Sequence, residues 1–125
     1  MPGRLRVLIV DDHPGIVKSL SRLLAFDCDV VGSVAGCSGL TEAVQTLKPD
    51  VVVLDMNLPG VKGLEVCRGV AQSNPQIKVI VYTAVDDPGV EQRALEAGAH
   101  AFVHKLSVDG GLLAAVRRLG SKPSP

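Results

Sequence analysis

The chain has 125 residues, of which 46% are hydrophobic, and its 13 basic residues balance 13 acidic ones. This length suits one domain with a single core, and the apolar content excludes a disordered chain. The net charge of zero excludes the basic field that attracts nucleic-acid phosphates or anionic lipid, so we do not expect these residues themselves to bind DNA or a membrane.

Apolar segments of two kinds alternate along the chain. Continuous runs rich in β-branched residues predict parallel strands buried on both faces, and apolar residues at three-and-four spacing predict helices between them. In chain order the predicted strands are 5–10, 29–36, 51–54, 78–82 and 100–103. The apolar residues at helical spacing fall within 16–24, 40–47, 64–71, 90–97 and 112–119. Glycines interrupt the second strand, which indicates a position nearer an edge of the sheet.

Proline and glycine support the predicted ends of two helices. Pro14 suits the start of the first helix, and Asp87 can cap a fourth helix whose first residue is Pro88. Gly98 can close that helix in the left-handed conformation. Five strands alternating with five helices, (βα)₅, predict an α/β fold with a doubly wound, five-stranded parallel sheet.

Polar residues of reactive types follow four of the predicted strands. Asp11 and Asp12 follow the first strand. Asp55 follows the third, Thr83 the fourth and Lys105 the fifth. Doubly wound sheets bind ligands beyond the carboxyl ends of their strands, so we expect these side chains at one edge of the sheet.

The three aspartates predict a metal site for phosphate chemistry. Neighbouring carboxylates repel one another unless a cation lies among them. Oxygen ligands without a convergent Cys or His set favour Mg²⁺, or its relative Mn²⁺, over zinc. Such an ion leaves room for a phosphoryl group, whose remaining oxygens would face Lys105 and the Thr83 hydroxyl. A carboxylate can itself attack phosphorus, which predicts an aspartyl phosphate.

Four motifs resemble those of the receiver domains of two-component response regulators. They are VDDH after the first strand, VVLDMNLPGVKGLE through the third, IVYTA at the fourth and AGAHAFVHK at the fifth. The resemblance covers the chain from about residue 4 to residue 120. It implies a flavodoxin-like strand order of 2-1-3-4-5, with residues 1–120 as the receiver domain and 121–125 as a tail or the start of a linker.

The resemblance assigns roles to residues at the strand ends. Asp55 resembles the residue that accepts the phosphoryl group. Lys105 resembles the lysine whose positive charge balances the negative charge of that group. Asp12 resembles a direct metal ligand, Asp11 a ligand that acts mainly through water, and Asn57 a residue that offers its backbone carbonyl to the metal.

Thr83 and Phe102 resemble the switch pair of the family. Phosphorylation would draw in the Thr83 hydroxyl and let Phe102 occupy the space behind it, which shifts the surface of the fourth helix, fifth strand and fifth helix. That surface would border a homodimer or another partner. The implied phosphoryl donor is a sensor histidine kinase, and the implied activity is a signalling switch with self-catalysed transfer and autodephosphorylation, not a dedicated enzyme.

Leu106 stands where the family often has proline after a cis peptide bond. We expect a trans bond between Lys105 and Leu106, since a cis bond to leucine would cost about 3 kcal/mol. Leucine after the lysine is a feature that resembles one branch of the family, in which the receiver precedes a helix-turn-helix DNA-binding domain. The motifs DDHP and AGAHAFVHK resemble the same branch. Two hypotheses stay open: a receiver fragment that reaches DNA only through an absent C-terminal domain, or a stand-alone receiver that acts on a partner protein.

Plainer interpretations of the same residues stay open. Asp11 and Asp12 could be solvated residues where a strand joins a capped helix. Thr83 could be a hydroxyl that finishes a strand, and Phe102 a core aromatic residue.

Histidines and cysteines predict no further site. We favour a surface or supporting role for His13 over a metal or phosphorelay role, because His100 and His104 do not fall at a spacing that converges with it. The three cysteines lack a CxxC pair and predict reduced, mostly buried thiols in the cytoplasm. They are Cys28, Cys37 and Cys67. No apolar run approaches the length of a signal-peptide core or a membrane span.

Three rival functions fit the sequence less well than the receiver does. A pseudo-receiver would usually have lost the acid pair, the acceptor or the lysine, and none is lost here. A Mg²⁺-dependent phosphohydrolase with an aspartate nucleophile would carry DxDxT after its first strand, whereas DMN follows the third strand in this chain. A flavin or dinucleotide site is disfavoured because neither GxGxxG nor GxxxxGK[ST] occurs.

Overall fold

The computed structural model describes residues 5–25, 28–36, 39–55, 63–74, 76–83, 88–104 and 111–120. In chain order its elements are β1 (Leu5–Val10), α1 (Pro14–Leu24), β2 (Cys28–Val34), α2 (Leu40–Leu47), β3 (Val51–Asp55), α3 (Gly63–Ser73), β4 (Lys78–Thr83), α4 (Pro88–Glu96), β5 (Ala101–His104) and α5 (Gly111–Gly120). Within these residues, five parallel strands form one sheet in the order β2-β1-β3-β4-β5. The predicted (βα)₅ fold and its strand order are confirmed.

The sheet separates two apolar layers, as expected for β-branched strands covered by helices on both faces. Leu8 and Val10 of β1 belong to one layer, which includes buried residues of α2, α3 and α4. Val7 and Ile9 belong to the other, which includes buried residues of α1 and α5. Successive side chains of a strand point to opposite faces, so one short apolar run supplies both cores.

Strand β2 lies at an edge, as its glycines indicated, and its pairing with β1 is irregular. Val7 pairs with Val30, but Leu8 pairs with Gly32, so β2 contains one additional residue at this point. A Cβ atom on Gly32 would lie 2.8 Å from Cδ1 of Leu47. Glycine therefore lets the last turn of α2 approach this edge of the sheet closely.

The predicted helix starts at Pro14 and Pro88 are confirmed, because α1 and α4 begin at these residues. Gly98 follows α4 with a φ of 109°, the positive value that the prediction required. A Cβ atom at Gly98 would lie 2.8 Å from that of Ala71 in α3, so the turn also packs closely against a neighbouring helix. The predicted cap at Asp87 lies outside the described residues.

The expected buried thiol is confirmed at Cys28, which is 2% exposed. Cys37 and the side chain of Cys67 lie outside the described part of the chain. Among the described residues, no helix combines the length and the apolar character needed to cross a membrane.

Candidate functional site

The register between the neighbouring strands β1 and β3 positions the candidate site. Val10 of β1 pairs with Leu54 of β3, so the chain reaches Asp11 and Asp55 at the same level of the sheet. From β1 the chain crosses to β2 on one side, while β3 lies on the other. This reversal of strand order is where doubly wound sheets form their ligand crevices.

Four potential metal ligands meet at this position. A carboxylate oxygen from each of Asp11, Asp12 and Asp55 and one ring nitrogen of His13 all lie within 4.8 Å of one another. Asp11 is 3% exposed and Asp55 is 1% exposed, whereas the side chain of Asp12 is 25% exposed. The three aspartates that the sequence predicted to converge therefore do so, with two of them buried.

Backbone hydrogen bonds fix Asp11 in place. Its backbone N–H donates to the carbonyl oxygen of Val34 at 3.0 Å, which ties it to the end of β2. Its Oδ1 atom accepts from the backbone N–H of His13 at 2.8 Å. A side chain that binds the backbone two residues onward forms a local turn, and here the turn leads the chain from β1 towards α1.

The same turn places His13 beside both neighbouring acids. Its Nδ1 atom lies 3.3 Å from Oδ1 of Asp11 and 3.1 Å from Oδ1 of Asp12, while the side chain is 60% exposed. Oδ1 of Asp12 is shielded from solvent and makes no hydrogen bond of good geometry within the described residues. The exposure fits the predicted surface role, but the double contact was not predicted. The DDH adjacency was the sequence signal that pointed to it.

The other predicted site residues are described in part. Thr83 ends β4 and pairs with His104 of β5, but its side chain lies outside the described part of the structure. Asn57 and Lys105, with the peptide bond that follows Lys105, lie outside the described residues as well. Phe102 is half-buried and packs against the layer that includes α4, a position that suits either a core or a switch residue.

The donor set of the site suits a hard divalent cation. Burying like charges is costly unless an opposite charge offsets it, and two of these carboxylates are almost inaccessible to solvent. Carboxylate oxygens are the ligands that Mg²⁺ prefers, and Mg²⁺ commonly uses only one or two of them beside waters and phosphate oxygens. The residues at this edge therefore fit the metal that the sequence predicted.

Comparison with known proteins adds the family. The profile described as Response regulator receiver domain matches residues 7–117. The response regulator GacA of Pseudomonas viridiflava is 36% identical over 116 residues, which cover 90% of this chain and 54% of that protein. The DNA-binding response regulator MtrA of Mycolicibacterium smegmatis is 38% identical over 117 residues, which cover 91% of this chain and 50% of that protein. The chain spans about half the length of these curated relatives.

A solved structure agrees with the same fold. The BeF3-activated N-terminal receiver domain of RstA from Klebsiella pneumoniae superimposes with a TM-score of 0.85 at 28% identity. The superposition covers 94% of this chain and 99% of that domain. The fold described above is thus shared with a solved receiver domain that is similar in both sequence and structure.

Proposed function

This chain belongs to the family of response regulator receiver domains, which are signalling domains, and we propose that it accepts a phosphoryl group on Asp55 from a sensor histidine kinase. The position of Asp55 carries the proposal. It is a buried carboxylate at the carboxyl end of β3, and one of its oxygens lies within 4.8 Å of oxygens from Asp11 and Asp12. A nucleophile surrounded by acids needs a cation to offset their negative charge, and the same cation can bind the oxygens of a phosphoryl group, which is the electrophile.

The transfer is a substitution at phosphorus. An oxygen of Asp55 would form a bond to phosphorus while the bond from phosphorus to the donor nitrogen breaks, and the nitrogen keeps the bonding electrons. No general base is required, because a carboxylate attacks without losing a proton. Lys105 would supply a positive charge to the phosphoryl oxygens. Hydrolysis of the same acyl phosphate would return the domain to its starting state, so the domain acts as a switch with self-catalysed chemistry.

The proposed metal is Mg²⁺, with Mn²⁺ as an alternative. Asp12 and Asp55 would bind it through carboxylate oxygens, Asn57 through its backbone carbonyl and Asp11 mainly through water. When bound, the ion would neutralise negative charge on the transferring phosphoryl group. The burial of Asp11 and its two hydrogen bonds support a positioned acid at this edge rather than a solvated strand end.

The proposed response is a shift of the surface formed by α4, β5 and α5. Thr83 would follow the phosphoryl group, and Phe102 would change its position behind it. The packing of Phe102 against the layer that includes α4 supports this route from the site to the surface. The description of the RstA receiver domain as BeF3-activated supports a response to a phosphoryl group, because beryllofluoride bound to an oxygen is tetrahedral like a phosphoryl group.

The proposed output is transcriptional. Residues 1–120 would form the receiver domain and 121–125 the start of a linker or a tail, with DNA bound only through a C-terminal domain beyond this chain. The name of MtrA as a DNA-binding response regulator, and the match of this chain to half of its length, support this arrangement. The shifted surface of α4, β5 and α5 would bind a second copy of the chain, forming a homodimer, or another partner protein in the cytoplasm.

Intact-mass spectrometry tests the proposed phosphorylation. With acetyl phosphate and Mg²⁺, the protein should gain one phosphoryl group, and chelation of the metal should prevent the gain. Asp55→Ala should abolish it, whereas Asp29→Ala, which removes an exposed carboxylate of β2, should leave it unchanged. An unchanged mass under conditions that label another receiver domain would contradict the proposal.

A further inference from the structure

The imidazole of His13 faces the acidic cluster although most of the side chain is exposed. Its Nδ1 atom is 3.3 Å from Oδ1 of Asp11 and 3.1 Å from Oδ1 of Asp12. Its backbone is held on both sides, since its N–H donates to Asp11 Oδ1 and its carbonyl accepts from the N–H of Val17 at 3.0 Å. The backbone of His13 is therefore held between the turn and the first turn of α1, with the ring beside both acids.

We propose that Nδ1 of His13 is an additional ligand of the bound metal and makes the site favour borderline ions, such as Ni²⁺ and Co²⁺, relative to Mg²⁺. This inference rests on the metal site of the proposed function. It changes the donor set from carboxylate, carbonyl and water oxygens to a mixed set with one nitrogen. The preference for an ion then depends on His13 as well as on the three aspartates.

The distances fit adjacent positions of an octahedral site. Ligands at about 2.1 Å from a small divalent ion lie about 3 Å apart at adjacent vertices and about 4.2 Å apart at opposite ones. The separation of 3.1 Å between Nδ1 and Oδ1 of Asp12, the proposed direct ligand, matches the adjacent spacing. All four potential ligand atoms lie within 4.8 Å of one another, which is close to the spacing of opposite vertices.

The chemistry of the nitrogen sets the direction of the effect. A neutral imidazole can ligate through Nδ1 while Nε2 keeps its proton, and the exposed ring leaves that proton free to bind water. Imidazole suits nickel, copper and zinc, whereas Mg²⁺ prefers oxygen ligands and retains its waters. Loss of His13 should therefore weaken binding of Ni²⁺ much more than binding of Mg²⁺.

Calorimetric titration of the chain without a histidine tag, with Ni²⁺ and with Mg²⁺, tests the preference. In His13→Asn the Ni²⁺ affinity should fall by about tenfold or more, a loss that even supporting residues of metal sites commonly cause. The Mg²⁺ affinity should stay within about twofold, since Mg²⁺ draws little from a nitrogen donor. His100→Asn, at the amino end of β5, is the matched histidine control and should leave the ratio of the two affinities unchanged.

Pulsed electron paramagnetic resonance of bound Mn²⁺ gives an independent measurement of the ligand. The wild type should show coupling to a nitrogen nucleus, and His13→Asn should lose it. An unchanged affinity ratio together with persistent nitrogen coupling in His13→Asn would overturn the ligand assignment. If His13→Asn has no effect but Asp55→Asn removes binding of both ions, the metal site of the proposed function is retained and His13 is not one of its ligands. Failure of the wild type to bind either ion would instead remove the metal site itself, and the inference with it.

Discussion

Carboxylate oxygens of Asp11 and Asp55 lie within 4.8 Å of each other, although these residues are only 3% and 1% exposed. The two acids extend from neighbouring strands at matching levels of the sheet, so the fold itself forces them together. Like charges at this distance in a poorly solvated place oppose folding. A conflict of this kind between local chemistry and stability is typical of a functional site.

Removing one of the two charges should stabilise the metal-free protein. Asp11→Asn keeps the acceptor for the backbone N–H of His13 and removes the repulsion, so the free energy of unfolding in the presence of a chelator should rise by about 1 kcal/mol. Urea denaturation measures it. The exposed Asp29→Asn should change it by less than about 0.5 kcal/mol. A clear loss of stability in Asp11→Asn would show that repulsion is not the dominant interaction of this carboxylate.

Mg²⁺ should stabilise the wild type through the same cluster. An ion that binds only the folded state adds about 2.7 kcal/mol at a concentration of 100 times its dissociation constant. The thermal midpoint should therefore rise with Mg²⁺ and return to its starting value with a chelator. Asp55→Asn should respond less at each concentration, while Asp29→Asn should respond like the wild type. Equal responses in all three proteins would place the bound ion elsewhere.

His100 predicts a pH dependence of stability at the other end of the sheet. Its Nδ1 atom accepts a hydrogen bond from the backbone N–H of Val79 at 3.0 Å. Burial, and secondarily the positive charge of Lys78, lower the pKa of His100 from its usual value of 6.5. The stabilisation that neutral His100 gives the folded protein is therefore fully present above its pKa in the unfolded chain, about 6.5. It is lost as the pH falls through the lower pKa of His100 in the folded protein.

Urea denaturation of the wild type and His100→Gln between about pH 8 and pH 5 measures this dependence, because the carboxylates common to both proteins cancel in the comparison. The wild type should lose more stability than the variant as the pH falls. Superimposable pH profiles would mean that the bond between Val79 and His100 does not require a neutral imidazole.

Two glycines should respond to alanine in opposite directions. Gly98 has a φ of 109°, and a Cβ atom there would lie 2.8 Å from that of Ala71, so Gly98→Ala should destabilise the protein by about 1–3 kcal/mol. Gly69 lies within α3, where an added Cβ meets nothing within 4 Å, so Gly69→Ala should stabilise by about 0.5–1 kcal/mol. Thermal denaturation of the two variants decides the signs, and a stabilised Gly98→Ala would contradict the described turn.

The fold and the acidic edge were predictable because they depend on periodicity and on where strands end. The four aliphatic residues of β1 before Asp11 indicate a buried central strand, and the parallel order then brings Asp55 alongside. The additional residue in β2, between the partners of Val7 and Leu8, was not predictable, since strand patterning does not encode a register shift. Strand β3 also extends through Asp55, because its pairing continues to Tyr82.

The position of His13 was missed for a related reason. The sequence places it next to the acids, but only the turn closed by Asp11 Oδ1 brings its ring nitrogen towards both Asp11 and Asp12. Apolar periodicity contains no information about such a side-chain orientation. The contact follows from a hydrogen bond between residues two positions apart, which a single sequence permits but does not require.

The identity of the phosphorylated residue is the most direct test of the proposed function. Borohydride reduction of the protein after treatment with acetyl phosphate and Mg²⁺ converts an aspartyl phosphate to homoserine, which tandem mass spectrometry of peptides then locates. We expect homoserine at position 55 only when both donor and Mg²⁺ are present. Homoserine at position 11 or 12 instead, or none in a mixture where another receiver domain is converted, would contradict it.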